Sequence, residues 1–110
     1  MAIDKTALFE STRALWPQTI FTFDAQNSLH RIYEANEASY PVDDNWRQVA
    51  IWSFHQALAG LERNARAQGA ATFSPSEISF EIFDEWIRSN LCGDDCWLAE
   101  RAQWEAADRP

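Results

Sequence analysis

Phe73–Leu91 reads FSPSEISFEIFDEWIRSNL and carries two competing patterns. Ser74 is placed to cap a helix, Pro75 takes its first position and Glu77 closes a capping box, with Phe73 and Ile78 as a hydrophobic staple. Ile82, Phe83, Trp86, Ile87 and Leu91 follow at helical spacing. Against this, ISFEIF (residues 78–83) alternates like a strand and could pair with TIFTF (residues 19–23). Cap, staple and 3.6-residue spacing agree with one another, so the stretch is read as helix.

The flanking sequence extends the same reading. Asp4 caps a first helix, stapled by Ile3 and Leu8, with Leu8, Thr12 and Leu15 on one face until Pro17. QTIFTF (residues 18–23) is extended. Asp24 or Ser28 opens a second helix with Leu29, Ile32, Tyr33 and Asn36 on one stripe, ending before Pro41. Asp43 or Asp44 caps the third and longest helix, running to about Gln68 with Gly69 as its stop. Trp46, Val49, Ala50, Phe54, Ala57, Leu58 and Leu61 line one side of it, and Ile51 and Trp52 widen the apolar arc. A helix that apolar belongs at the centre of a fold. The expected architecture is a compact all-α bundle of four to five helices with room for a minor two-stranded element. It forms a single helical domain over residues 1–110 with no linker.

LCGDDCW (residues 91–97) raises the question of a metal clamp. Gly93 falls where the fourth helix needs a left-handed residue, and Asp94 or Asp95 caps a fifth containing Trp97, Leu98, Ala102 and Trp104. Cys92 and Cys96 therefore flank a helix corner. A structural zinc needs four donors, and the only other candidates are the lone His30 and His55. No metal and no cofactor is expected. Redox activity is disfavoured as well, because Asp94 and Asp95 raise the pKa that a helix N-terminus would lower at Cys96.

Charge is the most informative feature. The formal net charge is -8, and there is one lysine, Lys5. Residues 1–76 hold eight acids against six bases, whereas residues 77–110 hold nine against three. Phosphate contacts need clustered Lys and Arg, so neither nucleic acid nor an anionic membrane is an expected partner. MAIDKTALFE lacks the basic start and apolar run of a signal peptide, and a cytoplasmic location is expected. The preference for Arg over Lys fits a GC-rich bacterial genome.

No nucleophile elbow or phosphate-cradling glycine loop is present, and His55, one turn from Ile51 and Leu58, reads as a packed histidine. Glu34 and Glu37 form E-x-x-E, and Glu81 and Asp84 form E-x-x-D, each pair on one helix face. In these four residues the chain resembles the all-α nucleotide pyrophosphatases of the MazG and dimeric dUTPase type. That resemblance implies a Mg²⁺-dependent enzyme, although the doubled acid and nearby lysines of that family are missing.

The fourth helix offers a non-enzymatic alternative. Glu77, Glu81, Asp84 and Glu85 follow at helical spacing, Asp94 and Asp95 extend the acidic strip, and Trp97, Arg101 and Trp104 line the last helix. Exposed aromatics beside charge are what interface hot spots look like, and Arg101 is placed to stack on either indole. In class, the chain resembles bacterial toxin-immunity proteins. The expected function is a small acidic protein-binding module, an inhibitor of immunity or antitoxin type. It would use these nine residues to occupy the basic active-site cleft of a partner such as a nuclease toxin. A phage-type anti-defence protein shares the same profile.

Overall fold

In a computed structural model, residues 3–18, 21–22, 26–41, 45–92 and 98–107 are described, with side chains left aside for 21–22, 26–28 and 92. The order is α1 (Lys5–Arg13), β1 (Phe21–Thr22), α2 (Gln26–Ala38), α3 (Asn45–Ala67), β2 (Thr72–Phe73), a 3-10 turn (Pro75–Glu77), α4 (Phe80–Cys92) and α5 (Leu98–Ala106). The fold is all-α, with one short strand pair.

α3 is the hub. It packs most extensively on α4, then on α1 and α2. Val49, Ala50, Ile51, Phe54, Ala57 and Leu58 are all buried on it. Phe54 stacks on Trp16 at 4.9 Å between ring centroids and meets Phe83 of α4 at 6.4 Å. Phe9 of α1 reaches Phe83 at 5.2 Å and Phe80 at 5.8 Å.

Local signals explain several helix ends. Asp4 caps α1 by accepting from the Ala7 amide at 3.0 Å, and Ile3 and Leu8 pack against the core. α1 stops at Arg13, one turn before Pro17, because the following turn swings Trp16 into the core. Gly69 ends α3 with φ 79°. Its amide donates to the Arg66 carbonyl at 3.1 Å, and the Ala70 amide donates to Ala65 at 2.9 Å, a Schellman motif. The caps expected from Asp24, Asp43, Asp44, Asp94 and Asp95, and the Gly93 corner, lie outside the described residues.

The Phe73–Leu91 stretch departs from its expected form. The capping box is present, with the Ser74 amide donating to Glu77 Oε2 at 2.8 Å, but it closes a single 3-10 turn. Ile78 then returns to extended backbone (φ −77°, ψ 110°) and is fully buried. Ser79 starts the helix proper, its Oγ accepting from the Ile82 amide at 3.3 Å. Two serine caps five residues apart compete, and burial of Ile78 favours the second. TIFTF pairs upstream of ISFEIF: Phe21 lies opposite Phe73 and Thr22 opposite Thr72, antiparallel. Residues 80–83 are helix.

A Cβ on Gly69 would meet nothing within 4 Å, so only backbone strain opposes a side chain there. Gly69→Ala is expected to cost about 1–2 kcal/mol, read from the urea midpoint, and Gly69→Asn less.

Candidate functional site

Glu81 and Glu85 stand exposed one turn apart on α4, and neither has an ion pair or hydrogen bond among the described residues. They border an open groove of about 560 Å³ lined by Phe80, Glu81, Asp84, Glu85, Arg88 and Ser89. Glu77 is exposed too, but one carboxylate oxygen is held by its capping box.

Asp84 faces inward. Its carboxylate accepts from Trp104 Nε1, lies 3.7 Å from Lys5 Nζ and accepts from Arg88 Nε at 3.1 Å. Two cations and one indole N–H thus compensate a single carboxylate. Lys5 is only 7% exposed, and burial pushes its pKa down while Asp84 opposes that and Arg88 adds to it. Its ammonium sits 4.6 Å from the centroid of the Trp104 ring, within cation–π range.

Trp104 itself is wholly buried. It stacks on Trp46 at 5.5 Å and 22° and meets the edge of Phe83 at 6.4 Å. Trp104, counted from the sequence among the partner-binding residues, is withdrawn from that set: its indole N–H finds Asp84 inside, so the ring is buried with its polar atom satisfied. Arg101 Nε pairs with Glu105 at 3.0 Å, and Lys5 takes the place over the Trp104 indole; stacking of Arg101 on Trp97 lies outside the described residues. Asp94, Asp95 and Trp97 lie outside the described residues.

An aromatic cluster between α2 and α3 went unread in the sequence. Tyr33 stacks on His55 at 4.5 Å and 19°, with Trp52 at 5.6 Å and His30 at 6.2 Å. Trp52 is 41% exposed. The width of the apolar arc on α3 was its one sequence signal, because so broad an arc leaves some aromatic outside the core. Burial raises the Tyr33 phenol to about 12, helped by its hydrogen bond to Glu37 and by the charges of Glu37 and Glu34. Burial lowers His55 from 6.5, and His30, 6.1 Å away between rings, adds to this. His55 Nδ1 is buried with no hydrogen-bond partner among the described residues.

The carboxylate pairs implied by the pyrophosphatase resemblance do not come together as a metal site. Glu34 lies 3.1 Å from His30, Glu37 accepts from Tyr33, and Asp84 is held by Lys5, Arg88 and Trp104. Among the described residues no group of three or more His, Cys, Asp or Glu could hold a metal ion, and no helix is long and apolar enough to cross a membrane.

Trp104→Ala removes a ring at full burial and leaves Lys5 without its aromatic cover. It is expected to destabilise by about 3–5 kcal/mol in urea unfolding. His55 supplies a pH dependence. Because its folded pKa lies below 6.5, the unfolded chain takes up the proton first. Its contribution is complete above that value and is lost as the pH falls through the folded pKa. Melting temperature should fall as the pH drops below about 6.5, and His55→Phe, which keeps the ring on Tyr33, should flatten that fall.

No protein-family model matches the chain, and no curated protein or solved structure matches it either.

Proposed function

We propose that this chain is a non-catalytic binding module for a basic protein, an inhibitor of immunity or antitoxin type acting in the cytoplasm. It would cover the phosphate-binding cleft of a partner such as a nuclease toxin. One observation supports this most directly. The only lysine is turned inward onto Asp84 and Trp104, while Glu81 and Glu85 are exposed beside an open groove, with no partner among the described residues. As an i,i+4 like-charge pair they cost the helix a few tenths of a kcal/mol. Glu81 lies in the first turn of α4, where the helix N-terminus offsets part of that cost, and the field of both adds to a net charge of -8. Such a field attracts a cationic surface and accelerates encounter.

The partner, captured from the native cells at low ionic strength, is expected to be basic and to be released by salt. Glu81→Lys with Glu85→Lys should slow its association about tenfold or more at low ionic strength, flatten the salt dependence and leave folding unchanged. Capture of neutral or acidic proteins alone, or an association indifferent to the double reversal, would overturn the proposal.

A further inference from the structure

A second feature lies on a different face. α2, α3 and the last turn of α4 enclose a cleft of about 390 Å³ whose lining includes Tyr33, Glu37, Gln48, Trp52 and Asn90. We propose that this cleft receives a guanidinium group, the arginine side chain of a basic partner; the inference rests on the reading above and adds where such a partner is anchored.

The lining is built for a flat, many-donor cation. Trp52 is one of two large hydrophobic residues exposed among those described, and indole is the best cation–π face. Glu37 is an exposed carboxylate with no ion pair among the described residues, and the Tyr33 hydroxyl donates to its Oε2. Because the phenol stays protonated to about 12, that bond persists at neutral pH and orients the carboxylate. Asn90 Nδ2 donates to Ser53 Oγ at 2.8 Å, which leaves the Asn90 amide oxygen to accept. Gln48 is similar, with Nε2 donating to the Pro41 carbonyl at 3.2 Å.

The helix end points the same way. Asn90 and Leu91 belong to the last turn of α4, where no basic residue offsets the negative end of the macrodipole. An anion would meet both this end and Glu37, and an apolar ligand would desolvate Glu37 for nothing. An ammonium would satisfy the charge, but guanidinium adds a planar fork for Glu37 and Asn90 and a face that stacks on Trp52.

The test is a titration of the ¹⁵N-labelled protein with N-acetyl-arginine methylamide. Its lysine and citrulline counterparts serve as controls, and the readout is the Trp52 indole and Asn90 amide resonances. Arginine should give saturable shifts at both in the millimolar range, lysine weaker ones, and citrulline, the neutral isostere, at least about fivefold weaker ones. Glu37→Gln and Trp52→Ala, both at exposed positions, should weaken arginine binding about fivefold or more, read at Asn90, with shifts in the free protein confined to the neighbours of the substituted residue. Glu81→Lys with Glu85→Lys should leave it intact. Equal shifts with citrulline, or shifts that bypass Trp52, would overturn the inference. The two proposals fail separately. Steered association of a basic protein without arginine binding at Trp52 sinks the cleft alone. Arginine binding at Trp52 with association indifferent to the α4 charges sinks the α4 steering alone.

Discussion

α3 has apolar residues around so much of its circumference that it must be covered by several elements at once, and this requirement organises the molecule. Ile51, Phe54 and Leu58 cannot all be hidden by one neighbouring helix. α1, α2, α4 and β2 each take a sector. Trp16 and Phe83 close on Phe54 from two sides. The sector left least covered carries Trp52. The strand pair then ties the lead-in to α2 to the segment after α3, which fixes where α4 begins.

Much of this architecture is legible in the sequence because it depends on neighbours within a few residues. The Asp4 cap, the Gly69 stop and the Ser74–Glu77 capping box are all local hydrogen-bond patterns. The signal failed where two local solutions competed, as at Ser74 and Ser79, and the choice fell to burial of Ile78. It was silent on the burial of Trp104. Whether an indole can be buried depends on a partner for its N–H, and that partner, Asp84, lies 20 residues away on another helix. Lys5, which completes the arrangement, comes from the opposite end of the chain.

The same long-range pairing sorts the acids into two kinds. At the level of sequence Asp84 looks like Glu81 and Glu85, a member of one strip. In three dimensions it is surrounded by Lys5, Arg88 and the Trp104 indole, and its charge is consumed in holding α1, α4 and α5 together. Charges without such partners project the stronger negative field into solvent. Composition gives the total but not this division, so the candidate site was legible as acidic while its boundaries were not. Tyr33, Trp52 and Glu37 were each read separately, and their clustering was missed for the complementary reason. Each is unremarkable alone, and only the packing of α2 against α3 makes them a cluster.

The contact of Lys5 with Asp84 and Trp104 also bears on the order in which the chain can fold. Helices α2 and α3 are close in sequence and can associate at modest entropic cost. Docking α1 with its lysine buried is different, because the compensating carboxylate arrives with α4 and the indole with α5. Until both are in place, burial of that ammonium is opposed by desolvation with nothing to offset it. The first helix is thereby held to the last. Such a closure joins distant parts of the chain in one cooperative step, the kind of contact that slows folding and resists partial opening.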